Sequence, residues 1–383
     1  MPCVISAAER ASFRRCRRQW DFGAVARQDL EPLHRPALPD LDRAVRDALA
    51  VYYFPGMWDW DRGVRLPLVA QELERALTRQ RQRSEDDAGP GVWRQALDEG
   101  RVLLDRYIAW SSAADRFSPV LVEADFEVDV LDPVRLEAGL VTEAGENVRY
   151  TGRIDLMAVD AHDAYWIVRH RVVDAEWPRT EELVADEETL AACWAWEQFY
   201  LGMAITGTVY NELRLPSLDP RRRTGWPWRG FWSGAISKMP AVRQHEPSGG
   251  GRSIPQHRRM YAQARAPRRV VPIEQRTEDG FRRTWLRRAP ADVAEAGRRL
   301  GADAAEMIRA DVEAYPVPSA ANCPPCAYFE PCRALQAGRD ARPILLSRYR
   351  ERPARAPEEG RLGGRTWGLG RGAAPPKFRR DQD

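Results

Sequence analysis

Residues 148–173, VRYTGRIDLMAVDAHDAYWIVRHRVV, decide the fold class because they contain two strand patterns in succession. Apolar and polar residues alternate through 148–160, and 164–173 is rich in β-branched and aromatic residues. The same alternation runs through 119–131, PVLVEADFEVDVL, a short distance upstream. Three such runs in one region predict a β-sheet at the centre of the chain.

Helical patterns lie on both sides of these strands. A further apolar helix is predicted from Asp186, after an acidic first turn, and a fourth strand over 208–214. The sequence therefore predicts an α/β (α+β) fold, with a mixed sheet flanked by helices and a helical N-terminal region. The other ranges with helical spacing are 5–30, 40–54, 65–83, 91–112 and 290–314.

Shifts in composition divide the chain into five parts. The stretch between the fourth strand and the last long helix loses periodicity and gains Pro, Gly and Arg, as does the C-terminus. The predicted parts are a helical region 1–115, a core 116–215, a basic insert 216–272, a helix with a cysteine cluster 273–338, and a basic, disordered tail 339–383.

The composition is that of a soluble globular protein, with 44% hydrophobic and 30% charged residues among 383. No apolar run approaches the ~18–20 residues that cross a bilayer. The first residues lack the apolar segment of a secretory signal, so we expect a cytoplasmic protein. Lys238 and Lys377 are the only lysines among 59 basic residues, which indicates a strong bias toward arginine.

The charge is unevenly distributed along the chain. The insert 216–272 has twelve basic and two acidic residues, net +10, and 339–383 has twelve and six, net +6. Since the whole chain is +3, the remainder is −13. A polyanion such as DNA is therefore expected to bind the insert and the tail, or else both are merely solubilising segments. The candidate phosphate-binding residues of the insert are Arg221, Arg222 and Arg223, with Trp226, Trp228 and Trp232 available either to stack on bases or to pack the insert.

Three of the six cysteines fall within ten residues, in Cys323-Pro-Pro-Cys326-Ala-Tyr-Phe-Glu-Pro-Cys332. This C-x2-C-x5-C spacing gathers soft thiolates around one metal centre and requires a fourth ligand from elsewhere. On spacing alone, an iron–sulfur cluster and a structural zinc site both fit. Cys3 and Cys193 lie outside the cluster, and Cys193 sits in an apolar helix where a buried free thiol is the simpler interpretation.

An early lone cysteine, Cys16 within Ser-Phe-Arg-Arg-Cys-Arg-Arg-Gln-Trp, precedes the strands, and the C-x2-C-x5-C cluster follows them. This arrangement resembles the iron–sulfur branch of the RecB-type PD-(D/E)XK nucleases, which includes the AddB repair subunit and CRISPR-associated adaptation exonucleases. The resemblance covers roughly 5–335 except the insert. It implies a restriction-endonuclease-like fold and a C-terminal clamp. In those relatives the clamp is a 4Fe–4S cluster, and the resemblance implies that Cys16, Cys323, Cys326 and Cys332 would bind it here.

Enzymes of this family hydrolyse phosphodiesters with Mg2+ held by carboxylates and with a lysine near the nucleophile. Gly152-Arg-Ile-Asp155 matches the family's G-x-x-D element within a strand. Glu123, on the preceding strand, matches a common acidic position. Asp155 and Glu123 are therefore the candidate catalytic residues, and Asp155 is the remnant of a metal site.

The remaining nuclease motifs are replaced. Arg169 stands at the place of the metal-binding carboxylate, Arg171 at that of the lysine and Arg46 at that of a helical histidine. Arginine bias accounts for Arg171 but not for Arg169, whose charge would repel Mg2+. The Q-x-x-x-Y element of the next helix is not recognisable. Arg169 and Arg171 are instead expected to form, with Asp155, a cationic pocket that binds phosphate without cleaving it.

The resemblance and these replacements together favour a catalytically degenerate protein. We expect it to bind DNA, or to support a protein partner in a repair or phage-defence complex, with Mg2+ relevant only if the protein is active. One alternative is an active nuclease with a rearranged site. Another is a protein-interaction scaffold that does not touch nucleic acid.

Overall fold

The computed structural model describes residues 3–34, 38–82, 89–135, 137–173, 176–200, 202–215, 274–278 and 280–352. The predicted insert 216–272 and the predicted tail beyond residue 352 lie outside these ranges. So do Arg221, Arg222 and Arg223, whose predicted role in binding phosphate stays a prediction. No helix in the described ranges is long and apolar enough to span a membrane.

The chain ahead of the main strands is mostly helical, as its apolar spacing predicts. Ser6 and Glu9 form a capping box on the first helix, and Asp40 caps the third by accepting a hydrogen bond from the Arg43 amide. The extended backbone of Cys16 separates the first two helices, where the sequence predicted one. The helices are α1 Ala7–Arg15, α2 Arg17–Gly23, α3 Leu41–Tyr52, α4 Arg62–Gln82 and α5 Pro90–Ala114.

A mixed sheet, seven-stranded within the described residues, forms the centre. The four predicted strands are confirmed. They are β3 Phe117–Asp129, β4 Val148–Asp160, β5 Tyr165–Val173 and β6 Ile205–Arg214. The first three form an antiparallel meander, and β6 runs parallel to β5. The connection between β5 and β6 contains α6 Thr180–Val184 and α7 Glu187–Phe199.

Three further strands of this sheet were not predicted. β1 (Cys3–Ser6) runs parallel to the start of β4, and β7 (Glu274–Glu278) and β8 (Phe281–Arg287) form an antiparallel hairpin beside β6. The sequence of β8, FRRTWLR, hides its character because Arg282 and Arg283 are both buried. Buried arginines break the alternation by which a strand is recognised.

Helices cover both faces of the sheet, and adjacent residues of a strand serve opposite cores because side chains alternate. Leu156 of β4 packs in the core that contains α3, α4 and α5. Met157, the next residue, packs in the core that contains α7 and the following helix, α8 (Pro290–Met307). The predicted architecture, a mixed sheet flanked by helices, is therefore confirmed.

The described C-terminal residues return to the N-terminal helices. α9 (Phe329–Gln336) and α10 (Arg342–Arg348) lead into β9 (Tyr349–Glu351), which pairs antiparallel with β2 (Leu30–Pro32). The first residues of the predicted tail 339–383 thus form a helix and a short strand. The pairing with β2 satisfies backbone groups of Tyr349–Glu351.

Candidate functional site

The place of the predicted nuclease site is a gap between β4 and β5. These strands pair only from Leu156 to Val159 on β4, whereas β5 continues to pair with β6 on its other side. Two backbone amides of β5 consequently face the gap without a strand partner. Side chains satisfy them: Asp155 Oδ2 accepts from the His170 amide at 2.9 Å, and Asp42 Oδ1 accepts from the Val172 amide at 2.7 Å.

Arg46 on α3 connects these two carboxylates. Its guanidinium lies 3.1 Å from Asp42 Oδ2 and 3.6 Å from Asp155 Oδ1. Burial alone would raise the pKa of Asp155, but the positive charges of Arg46 and Arg169 outweigh it and hold that pKa below its usual value. Both oxygens of Asp155 are therefore engaged within the protein, one by a backbone amide and one by a guanidinium.

Arg169 and Arg171 are also paired internally. Arg169 donates to Glu188 Oε1 at 2.9 Å, and Arg171 donates to Asp186. Asp186 and Glu188 lie at the start of α7, where negative charge is also favourable to the helix dipole. Arg169 thus pairs with Glu188 of α7. From the sequence, Arg169 was instead expected to form a pocket together with Asp155. Each guanidinium of the expected phosphate pocket already has a carboxylate partner.

Glu123 lies directly opposite Asp155, between the paired residues Val122–Leu156 and Ala124–Ile154. Its backbone adopts a φ of 46°, which is unusual for a residue with a side chain and marks local strain. Burial raises the pKa of Glu123 to about 7, and the negative charge of Asp155 adds to the shift. The two candidate carboxyl groups are therefore neighbours, and they differ strongly in acidity.

This difference predicts a pH-dependent effect of replacing Glu123 by glutamine. The folded-state pKa of about 7 lies above the ordinary 4.5, so the neutral carboxyl favours folding. Its contribution is complete below pH 4.5 and is lost as the pH rises through about 7. Since glutamine stays neutral, Glu123→Gln is expected to increase the free energy of unfolding by about 2–3 kcal/mol at pH 8 and by little at pH 5.

Urea unfolding of both proteins across this pH range measures the difference. Glu127→Gln is the matched control, because Glu127 lies on the same strand, is exposed and pairs with Arg149 at the surface. We expect no pH-dependent gain for that variant. An equal difference between the Glu123 variant and the parent at pH 5 and pH 8 would contradict the assigned protonation.

His170 belongs to a buried network behind the sheet. Its ring stacks on Tyr53 at a centroid distance of 5.4 Å, and its Nδ1 lies 3.3 Å from Asn211 Nδ2. Burial lowers the pKa of His170 to about 4, so the ring is neutral near pH 7. The ring therefore packs in the structure, and only the backbone of His170 reaches Asp155, as strand alternation predicts.

The cysteine site is built from two separate parts of the chain. Cys16 lies at the break between α1 and α2, and Cys323 and Cys326 lie in the turn before α9. Cys332 lies within α9, and its amide donates to the Tyr328 carbonyl at 3.1 Å. The four cysteines line one pocket. All four cysteines are free thiols.

The surroundings of these thiols are largely apolar. Burial raises the pKa of Cys326, and the sulfurs of the other three cysteines raise it further. Burial also raises the pKa of Cys332, although the Arg18 guanidinium acts in the opposite direction. The thiols of Cys326 and Cys332 therefore resist ionisation unless a cation stabilises their thiolates. The backbone amide of Val317 donates to Cys16 Sγ at 3.5 Å.

An aromatic stack and the small β2–β9 sheet hold the two parts of the cysteine site together. Phe22, Tyr328 and Tyr349 stack in series, with centroid distances of 5.4 and 5.6 Å. The Tyr328 hydroxyl donates to the Leu30 carbonyl at 2.6 Å, and the Tyr349 hydroxyl donates to that of Ala327 at 2.7 Å. These contacts position the pocket independently of any bound group.

The described side chains do not form a site for a single metal ion. Within those ranges, no group of three or more His, Cys, Asp or Glu side chains is arranged to hold one ion. At the β4–β5 gap, the carboxylates are instead engaged by arginines and backbone amides. At the cysteine pocket, the four cysteines line one cavity together with apolar and polar residues.

Sequence reasoning did not identify Asp42 and Asp186 as members of the site. Asp42 had one signal, because it lies four residues before Arg46 on a helix, where such pairs meet. Asp186 was recognised as part of an acidic helix start, and its contact with Arg171 was not foreseen. Comparison of the chain with protein-family models and with curated proteins finds no match.

Proposed function

We propose that this chain is an iron–sulfur protein of the RecB-type PD-(D/E)XK nuclease lineage that binds DNA, or supports a DNA-processing complex, without cleaving DNA. Two sites carry the proposal. The first is the β4–β5 gap, where arginines occupy the positions of catalytic residues. The second is the pocket lined by the four cysteines.

The observation that carries the proposal is the meeting of Arg46, Asp155 and Arg169 in space. They come from α3, β4 and β5, and motif order alone had placed them at the nuclease positions. Arg46 lies 3.6 Å from Asp155, and the charges of both arginines act on that carboxylate. The order of helix, antiparallel β3–β5, helix and parallel β6 supports a restriction-endonuclease-like core.

The internal ion pairs argue against cleavage. A divalent cation at Asp155 would have to displace Arg46, and it would face Arg169 where the family has a carboxylate. Arg171 pairs with Asp186, and the fork geometry of a guanidinium makes arginine a poor replacement for the lysine of these enzymes. The carboxylates of Asp42 and Asp155 at the gap are thus neutralised by the guanidinium of Arg46.

The donor chemistry of the cysteine pocket supports a 4Fe–4S cluster. A single zinc ion needs four ligands at about 2.0–2.3 Å from one point. The quartet lines a common pocket, and its order along the chain, Cys16 before the sheet and C-x2-C-x5-C after it, resembles that of the iron–sulfur relatives. Cys16, Cys323, Cys326 and Cys332 would hold this group, and it would supply a link between distant parts of the chain.

The charge distribution supports DNA as the ligand. The insert 216–272 has a net charge of +10, while the chain outside the insert and the tail has −13. Phosphate contacts from such a segment release counterions, so binding weakens steeply as salt is added. In the described site the arginines are already paired, which leaves the insert and the tail as the expected contact surface.

Binding and cleavage assays on single- and double-stranded DNA test the proposal. We expect no cleavage with Mg2+ or Mn2+, and an affinity that falls at least about a hundredfold between 50 and 200 mM salt. Joint replacement of Arg221, Arg222 and Arg223 by glutamine should reduce both the affinity and its salt dependence. Joint replacement of the exposed Arg298 and Arg309, which lie on the described body, is the control and should change neither.

Two results would overturn this assignment. Metal-dependent cleavage that disappears in Asp155→Ala would establish an active nuclease with a rearranged site. Absence of DNA binding even at about 50 mM salt would overturn the DNA-binding role and leave only a role as a protein-interaction scaffold.

A further inference from the structure

Arg18 is a charged residue of the cysteine pocket, and two backbone carbonyls fix its position. It lies on α2, two residues after Cys16, and it lines the pocket together with the four cysteines. Its Nε donates to the Ala314 carbonyl at 2.6 Å, and its backbone amide donates to the Tyr315 carbonyl at 3.0 Å. These contacts therefore hold the guanidinium in one position.

The segment that fixes Arg18 also contacts Cys16. Val317, three residues after Ala314, donates its amide to Cys16 Sγ at 3.5 Å. Arg18 and Cys332 line the same pocket. One short piece of backbone thus sets the positions of an amide donor and of a cation toward the sulfur ligands.

A fixed cation beside a cluster has a definite effect on electron transfer. When an external donor such as dithionite gives one electron to the cluster, the donor is oxidised and the cluster with its thiolates becomes more negative by one charge. A nearby positive charge stabilises the more negative state, and burial strengthens this attraction. Groups just outside the ligands tune metal centres in this way.

We propose that Arg18 is a positioning residue that raises the reduction potential of the cluster bound by the four cysteines. This inference rests on the proposed cluster. It goes beyond the proposed function because Arg18 is not a ligand. The inference gives this residue an influence on the reduction potential of the site.

A redox titration of anaerobically purified full-length protein, followed by visible absorbance and electron paramagnetic resonance, tests the proposal. Arg18→Gln is expected to shift the reduction potential to a more negative value. Arg18→Lys loses the planar donor to the Ala314 carbonyl but keeps the positive charge. Its reduction potential should therefore remain close to that of the parent protein. Arg15→Gln is the control, because Arg15 is exposed, carries the same charge and does not line the pocket.

An unchanged potential in Arg18→Gln, or an equal shift in Arg15→Gln, would overturn the proposal. If Arg18→Gln alone fails to retain iron, the charge is required to hold the cluster and is not a determinant of its potential, which would overturn the proposal. Loss of iron from both variants would assign Arg18 a purely structural role and would also overturn it. Absence of iron from the parent protein would instead refute the proposed cluster, so the two failures are distinguishable.

Discussion

A Cys326→Ala variant, purified without oxygen, is expected to lose the iron and the visible absorbance of the parent protein. Iron should fall from about four atoms per chain to near zero, because each cysteine of a four-ligand cluster holds one corner. Cys326 is the most informative position, since all three other cysteine sulfurs influence its pKa. Iron and zinc analysis with a visible spectrum makes the measurement.

Cys3→Ala is the matched control for this experiment. Cys3 is half-buried in β1 and does not line the cysteine pocket, so its replacement should leave the iron content unchanged. We also expect Cys326→Ala to unfold at a lower temperature than Cys3→Ala, because the proposed cluster would link α1–α2 to α9. Stoichiometric zinc without colour in the parent protein would contradict the assignment of the cluster.

Arg283→Met is expected to reduce the free energy of unfolding by about 3–5 kcal/mol. Arg283 is 2% exposed, lies 2.6 Å from Asp115 Oδ1 and donates to Asn211 Oδ1 at 2.5 Å. Its removal leaves the buried Asp115 carboxylate without its cation, which costs far more than the loss of a surface ion pair. Since Asn211 also contacts His170, the change should loosen the sheet behind Asp155.

Urea unfolding measures this effect, with Arg298→Met as the control. Arg298 is exposed and pairs with Glu295 within α8, so its loss should cost at most about 1 kcal/mol. The double variant Arg283→Met with Asp115→Asn should recover part of the stability, because no unpaired buried charge remains. A loss below about 1 kcal/mol for Arg283→Met alone would show that the buried pair is not important for stability.

The central strands were predictable because each is defined by its own side chains. Residues 148–160 alternate between the two cores, with Leu156 on one face and Met157 on the other. The strand at 281–287 escaped prediction because Arg282 and Arg283 are buried by partners far away in sequence, Glu212 and Asp115. A buried charge is stable only when its partner is present, and local sequence does not show that partner.

The candidate site divides in a similar way. The spacing of Cys323, Cys326 and Cys332 is a local signal, and a resemblance added Cys16 as the fourth member. The replaced motif positions Arg46, Arg169 and Arg171 were also identified in the sequence. Their partners were not, so the sequence suggested a cationic phosphate pocket where the structure has paired guanidiniums.

By itself, the sequence determined the alternation that makes β3, β4 and β5, the apolar stripes of the helices, and the close spacing of three cysteines. These features depend on residues a few positions apart, so the chain shows them directly. The tertiary structure alone decided that Asp42 accepts a hydrogen bond from the Val172 amide, 130 positions away. It also decided that the Arg46 guanidinium lies between Asp42 and Asp155. Such contacts arise only when the sheet opens between β4 and β5 and leaves backbone amides to be satisfied.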